Sequence, residues 1–229
     1  SNTNTVIFNH TSERYLFRQS VSDEPVRLTG PLTVRLQNGV TVLEGKNDYT
    51  LGTVVGAHGV LLANTGATEA DPASATGNGD GEVRVETGGV LGGVGVVRGN
   101  VVVSGTLKPG DADYGGDAPR VAPLTSRDKV EIRPEGALLI ASQGADATAT
   151  LRAEGGLVRG GTLMVELREP FRIGPGETVT LPLFTAAPVE GRFATTQFPA
   201  EWQGTPLRWT LLENGEATVT ALAAGGRAH

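Results

Sequence analysis

Glycine and proline are spread along the whole chain, and this distribution restricts the possible folds more than any other feature. The 229 residues include 33 glycines and 13 prolines. Inside a helix, glycine costs roughly 1 kcal/mol and proline roughly 3 kcal/mol relative to alanine, which excludes an all-helical bundle. A collagen helix is excluded as well, because glycine does not recur at every third position. The 38% hydrophobic content is too high for a disordered linker.

Charge, cysteine content and hydropathy narrow the classes of protein further. The formal net charge of −6 argues against a nucleic-acid partner, which needs a basic surface. The absence of cysteine excludes disulfides, thiolate metal sites and cysteine catalysis. No stretch reaches the roughly 18 uninterrupted apolar residues of a membrane helix, so we expect no transmembrane segment in this chain.

Short runs of β-branched and aliphatic residues recur along the chain, and each is closed by glycine, Asn-Gly or proline. This pattern predicts short strands joined by tight turns. Comparable Val/Leu runs begin near residues 40, 60, 82 and 101, at an interval of about twenty residues. Such a period is typical of stacked repeats, and one turn of a parallel β-helix uses about that many residues.

We therefore predict an all-β fold: a right-handed parallel β-helix, or β-solenoid, with a more antiparallel C-terminal β portion. The antiparallel pattern begins near Arg127, and Asn214-Gly215 reads as a hairpin turn between Leu207–Leu212 and Ala217–Leu222. The predicted organisation is an N-terminal cap (1–29), β-helix rungs (30–111), a loop (112–126) and the C-terminal β portion (127–229).

One segment carries a family resemblance. Residues 39–55, GVTVLEGKNDYTLGTVV, resemble the autotransporter-associated β-strand repeat, which reads approximately G-x-T-x-L-x-G-x-N-x-Y-T-G-G-T-x-V. The segment departs from that pattern at Leu51, where the repeat usually has glycine. A block from Gly88 to Asp111 resembles the segment that often follows such repeats. The residues that carry the resemblance are Gly39, Thr41, Leu43, Gly45, Asn47, Tyr49, Thr50, Gly52 and Thr53.

The resemblance implies a structural role. Proteins of this family are large β-helices that Gram-negative bacteria secrete or display on their surface. By this resemblance, we expect a non-enzymatic structural or adhesive module, secreted or on the outer cell surface. Asn47 would then stack in an amide ladder along the solenoid, and Tyr49 would cap a corner.

The sequence offers little catalytic chemistry, and we assign no catalytic residue. No G-x-S-x-G motif and no pair of histidines at metal-binding spacing is present. Asp111, Asp113 and Asp117 share one Gly-rich loop and are the candidate ligands for Ca²⁺, the one cofactor considered. Polar turns also need aspartate for local hydrogen bonds, so a structural role for these residues stays open.

Two other functions stay open. Glu82, Arg84, Glu86 and Arg98 alternate along strands, as they would on the face of a carbohydrate-active β-helix that binds or cleaves extracellular polysaccharide. A self-assembling filament subunit is the other alternative, because the open end of a solenoid exposes unpaired backbone. The candidate partners are accordingly a host or glycan surface, and neighbouring subunits that exchange strands with the segment from Thr3 to Ser20.

Overall fold

The computed structural model describes residues 4–18, 22, 24–65, 74–115 and 120–223. These residues form an all-β structure without helices, so no helix among them could cross a membrane. The strands are β1 (Asn4–Asn9), β2 (Tyr15–Leu16), β3 (Leu32–Leu43), β4 (Thr53–Ala63), β5 (Val83–Val85), β6 (Val90–Gly93), β7 (Val96–Val97), β8 (Val101–Val103), β9 (Thr106–Pro109), β10 (Leu124–Ser126), β11 (Val130–Ile132) and β12 (Ala137–Gly144). They continue with β13 (Ala147–Thr148), β14 (Leu151–Ala153), β15 (Leu157–Arg159), β16 (Thr162–Leu167), β17 (Thr178–Pro182), β18 (Phe184–Ala186), β19 (Val189–Gly191), β20 (Thr195–Gln197), β21 (Glu201–Trp202), β22 (Thr205–Leu211) and β23 (Glu216–Ala221).

Most strands pair in parallel with the strand one circuit further along the chain. The first ladder consists of β1, the first halves of β3 and β4, and then β5, β8, β11, β15 and β19. The second ladder consists of β2, the second halves of β3 and β4, and then β6, β9, β12, β16 and β20. Because β3 and β4 run through both ladders, the two ladders form one curled sheet, which has 15 strands when β13, paired antiparallel with β12, is included. A third ladder, β7-β10-β14-β18, is a separate 4-stranded sheet. The solenoid-like, all-β architecture is therefore confirmed.

Stacked aliphatic side chains hold the ladders together. Strand alternation points every second residue inward, and the parallel register places these residues above one another. Burial of each such side chain contributes about 1.5–3 kcal/mol. One continuous inward column in the first ladder consists of Val6, Val34, Thr53, Val83, Val101, Val130, Leu157 and Val189.

The circuits are less regular than the sequence spacing predicts. Val40 pairs with Val60, and Val83 pairs with Val101, as an interval of about twenty requires. Val60, however, pairs with Val90 in the second ladder, whereas Val83 lies in the first ladder. The inferred step from residue 60 to residue 82 is therefore wrong, because the two runs belong to different ladders and that circuit is about thirty residues long.

Apart from the short β12–β13 pair and isolated bridges, antiparallel pairing among the described residues occupies a smaller part of the C-terminal region than the sequence pattern predicts. Parallel ladders continue beyond Arg127 as far as β20. The antiparallel sheet consists of β17, β23, β22 and β21. The hairpin at Asn214-Gly215 is confirmed, since β22 and β23 pair antiparallel and Gly215 has a φ of 89°.

Aromatic side chains cover the core towards the C-terminal end. Trp202 lies edge-on to Phe171 at 6.0 Å, and Trp209 contacts Phe198 at 5.0 Å between ring centroids. The indole N–H groups donate to backbone carbonyls, that of Trp202 to Phe171 and that of Trp209 to Pro199. Both tryptophans are partly buried against the core, as expected for residues that close it.

Candidate functional site

Asn47 is fully buried in the turn after β3 and links three consecutive circuits. Its side-chain oxygen accepts a hydrogen bond from the Leu28 N–H at 2.8 Å, and its amide nitrogen donates to the Ala75 carbonyl at 2.9 Å. Its backbone also pairs with Ser74. The side chain thus bridges the backbone of the circuits before and after it, whereas an amide ladder would have joined it to other asparagine side chains.

Tyr49 fills the corner next to Asn47. Its side chain is fully buried, and its hydroxyl lies 2.5 Å from Thr53 Oγ1. Thr53 is the polar member of the aliphatic column described above, so Tyr49 provides the hydrogen-bond partner that a buried hydroxyl requires. Burial raises the pKa of Tyr49 well above its ordinary value, although the hydrogen bond with Thr53 acts in the opposite direction.

The other residues of the repeat segment also lie in or against the core. Gly45 approaches the preceding circuit so closely that a Cβ would overlap the Val26 carbonyl. Gly52 has a φ of +90°, and a Cβ there would overlap the Glu82 carbonyl. Leu43 and Thr41 are buried, and Thr41 Oγ1 lies 2.9 Å from His10 Nε2. Gly39 (φ +81°) lies within β3, just after its register shift, and Thr50 lies in the bend before β4.

The acidic loop after β9 holds a cluster of paired charged side chains. Asp111 is 1% exposed, and Arg120 donates to both of its oxygens, from the backbone N–H at 2.8 Å and from Nη2 at 2.6 Å. Asn64 Nδ2 donates to Asp111 Oδ2 at 3.1 Å. Arg14 Nη2 lies 3.5 Å from the same oxygen. Asp111 thereby connects the loop to two earlier circuits.

Asp113 is paired in a similar way. It forms ion pairs with Lys108 and Arg168, and Arg168 also pairs with Glu166 at 2.7 Å. The third candidate Ca²⁺ ligand, Asp117, lies outside the described residues. Residues 4–18, 24–65, 74–115 and 120–223 contain no group of three or more side chains arranged to hold a metal. The Ca²⁺ site stays a prediction.

The pKa values of this cluster suit stable ion pairs. Burial alone would raise the pKa of Asp111, but hydrogen bonds and the positive charge of Arg120, with a further bond from Asn64, hold it below its ordinary value. Lys108 and Arg168 likewise outweigh burial and lower the pKa of Asp113. Burial and the charge of Asp113 raise the pKa of Tyr114 to about 12. At neutral pH the carboxylates are ionised and the phenol is protonated, so none is poised as a general acid or base.

Asp111→Asn is expected to lower the free energy of unfolding by about 1–3 kcal/mol at neutral pH, because the charge-assisted bonds with arginine are lost. The folded-state pKa of Asp111 lies below the ordinary value of 3.8. The contribution of the carboxylate is therefore present above that value and is lost as the pH falls through the folded-state value. Urea unfolding from pH 7 to pH 2 measures the effect. A difference between wild type and variant that does not shrink at low pH would contradict this account.

The acidic loop also forms one wall of an open groove of about 510 Å³. Glu13, Arg14, Val40, Asp113 and Tyr114 line it. Its volume is that of ordinary ligand pockets, and ionised groups of both signs line it. We call it the acidic-loop groove.

The residues considered for carbohydrate chemistry are engaged in contacts within the protein, and a glycan site there stays a prediction. Glu82 pairs with Arg84 at 2.8 Å, and Glu86 pairs with Arg35 at 3.3 Å. The Arg98 backbone N–H is bound to Thr76 Oγ1. The ion pairs of Glu82 and Glu86 are typical of a solvated outer strand face, whereas Arg98 Nε is buried without a hydrogen-bond partner among the described residues. The pairs Arg14–Asp111 and Arg168–Asp113 could not be predicted from the sequence, because the partners are distant along the chain.

Comparisons with known proteins assign no family. No protein-family model matches the chain, and no curated protein matches it significantly.

Proposed function

We propose that this chain is a right-handed parallel β-helix that serves as a non-enzymatic structural or adhesive module of a passenger-type bacterial protein, secreted or on the outer cell surface. The observation that supports this proposal is the stack of parallel strands, in which one inward column passes through every circuit of the first ladder. Each circuit stacks its aliphatic residues on those of its neighbours, as in repeat proteins that present an extended surface.

The repeat segment supports the family part of this proposal. Its asparagine, tyrosine and close-packed glycines make contacts between circuits: Asn47 bridges two neighbouring circuits, and Gly45 and Gly52 allow their backbones to approach. These are roles in building a stack. The residues that resemble the autotransporter-associated repeat thus contribute to shape, which agrees with a structural module.

The charged side chains also support a structural role. Glycoside cleavage needs a protonated carboxylic acid beside a second carboxylate. Lowered pKa values keep Asp111 and Asp113 ionised and paired with cations. This arrangement favours rigid loops over acid–base chemistry.

A glycan-cleavage assay tests the proposal against the enzymatic alternative. The protein is incubated with acidic and neutral extracellular polysaccharides, and new reducing ends are measured beside Asp111→Asn and Glu82→Gln. We expect no release above that of the two variants. Turnover that one carboxylate substitution abolishes would overturn the structural proposal.

A second candidate function, self-association, is favoured by the first circuit. Three large hydrophobic side chains are exposed there: Ile7 at 52%, Tyr15 at 40% and Leu16 at 38%. β1 carries no charge or proline and pairs only with β3 among the described strands. Natural edge strands usually carry a charged residue or a proline, which protects them from pairing with another chain. The strand at the other end of the first ladder, β19, follows this rule, since it contains Glu190 and follows Pro188.

A second copy of this chain fits that edge by symmetry. Directly opposite residues of an antiparallel pair point to the same side of the sheet. If Ile7 lies opposite Ile7, Val6 lies opposite Phe8 on the inward side, and Thr5 lies opposite Asn9 on the outward side. A two-fold dimer would therefore continue the core from one copy to the other.

Ile7→Lys is expected to abolish this dimer, because it places a charge at the two-fold axis. Light scattering coupled to size-exclusion chromatography should give the mass of two chains for the wild type and of one for the variant. Leu51→Lys is the matched control, since Leu51 is 43% exposed but lies outside the first circuit. A wild-type monomer at high concentration, or growth into open-ended assemblies, would contradict the two-fold dimer.

A further inference from the structure

A second cleft lies between the parallel ladders and the antiparallel sheet. It has a volume of about 250 Å³, slightly below the range of pockets for drug-sized ligands and enough for a small ligand. Arg159 at the end of β15 and Arg192 after β19 lie on one side. Leu211 and Glu213, from the β22–β23 hairpin, also line it. We call this the arginine cleft.

The two arginines of the cleft are not neutralised by the protein. Among the described residues, neither Arg159 nor Arg192 has a carboxylate within ion-pair distance. By contrast, Arg127 and Arg133 pair with Glu154 and Glu131. Two arginines without an ion-pair partner thus line the cleft together with one carboxylate, that of Glu213, and the excess of positive charge would attract an anionic ligand.

The guanidinium group of Arg159 is held in place and partly desolvated. Its Nη2 donates to the Gly191 carbonyl at 2.7 Å, which ties it to the neighbouring circuit. Its Nε is buried without a hydrogen-bond partner. A buried donor without a partner is costly, and a nearby negative charge stabilises such a group more strongly than it does in water. The group is therefore preorganised for an anion.

The other residues that line the arginine cleft determine which class of anion it would bind. Phe193 supplies an aromatic ring that is fixed against Phe184, at 6.1 Å between ring centroids. Thr196 and Glu213 supply oxygen atoms that accept hydrogen bonds from hydroxyl groups. Glu213 would repel a dianion such as phosphate. The lining thus suits a ligand with one negative charge, several hydroxyl groups and an apolar ring face.

We propose that the arginine cleft binds an acidic sugar residue of the uronate type. Its carboxylate would lie against Arg159 and Arg192, its ring against Phe193, and its hydroxyl groups towards Thr196 and Glu213. This site is separate from the acidic-loop groove and involves no bond making or breaking. It gives a surface module a defined glycan ligand, and it stands even if the assignment to a passenger-type protein fails.

Calorimetric titration of the whole protein with tri-galacturonate tests the site. Arg192→Gln is the informative variant, since Arg192 is exposed and makes no ion pair, so its loss should leave the fold intact. We expect Arg192→Gln to weaken binding about tenfold or more. Arg208→Gln, an exposed arginine on β22 that does not line the cleft, should bind within about twofold of wild type.

Titrations with two further sugars show which chemical group of the ligand the arginine cleft recognises. The neutral galactose trimer should bind at least about tenfold more weakly than tri-galacturonate, and a sulfated galactose trimer distinguishes a carboxylate site from a general anion site. Equal binding of the neutral and uronate trimers, undiminished binding by Arg192→Gln, or a preference for the sulfated sugar would each overturn the proposal.

Discussion

Tyr49→Ala is expected to lower the free energy of unfolding by about 3–5 kcal/mol, the loss typical of a deleted core aromatic ring. Tyr49 is among the largest fully buried side chains of the structure. The surrounding circuits are fixed by backbone pairing on both sides of the corner, as between Asn47 and Ser74, so they can only partly close the cavity. Urea unfolding followed by circular dichroism measures the loss.

A pair of smaller substitutions separates the hydrogen bond from the cavity. Tyr49→Phe keeps the ring but leaves the buried Thr53 hydroxyl without its partner, which should cost about 1–2 kcal/mol. Thr53→Val added to Tyr49→Phe removes the unpaired hydroxyl and restores the aliphatic column. The double variant should therefore recover most of that loss. A double variant that is as unstable as the sum of the single variants would contradict the assigned contact.

The same tyrosine predicts an alkaline limit to stability. Its folded-state pKa is raised above the ordinary value of 10.0 by burial. The contribution of Tyr49 to the free energy of unfolding is therefore fully present below pH 10. It is lost as the pH rises through the folded-state pKa, because the unfolded chain releases the tyrosine proton at a lower pH. Tyr49→Phe should remove this part of the decline in stability above pH 10.

Local signals in the sequence were sufficient for the strands, the turns and the solenoid-like class of fold. The Asn214-Gly215 hairpin follows from the φ > 0 conformation that its turn requires at Gly215. Alternation of valine with polar residues in β5 likewise matches its inward and outward positions. Both features depend on neighbouring residues, so one sequence reveals them.

The assignment of strands to ladders depends on more than local pattern. Valine runs near residues 60 and 83 look alike, yet the first belongs to the second ladder and the other to the first ladder. The length of the intervening excursion sets which run stacks on which, and the apolar pattern does not encode that length. The expected constant period failed for this reason.

Long-range polar contacts also could not be predicted from the sequence pattern. Arg14 and Asp111 are 97 positions apart, and they meet only because the stack brings the first circuit beside the acidic loop. The arginine cleft has the same origin, since parallel register places Arg159 opposite Gly191 and beside Arg192. The sequence did contain one signal of a buried hydrogen bond, because a threonine of the aliphatic column follows a tyrosine by four positions.

Asn47→Leu is expected to lower the free energy of unfolding by about 2–5 kcal/mol, although leucine has a similar size. Leucine leaves the Leu28 N–H and the Ala75 carbonyl unpaired in a buried corner, and each unpaired group costs about 1–3 kcal/mol. Because these groups lie on different circuits, the loss should spread along the stack. Amide hydrogen exchange would report it as faster exchange at Leu28.

The control for Asn47 is the asparagine of an exposed turn. Asn78 bonds only to Asp80 through its side chain, near the surface, so Asn78→Leu should cost less than about 1 kcal/mol. Equal losses for the two variants would mean that Asn47 acts through turn propensity alone. A large loss at Asn47 with little change at Asn78 would instead show that one buried amide joins neighbouring circuits, because turn propensity is common to both positions whereas the bonds to Leu28 and Ala75 are not.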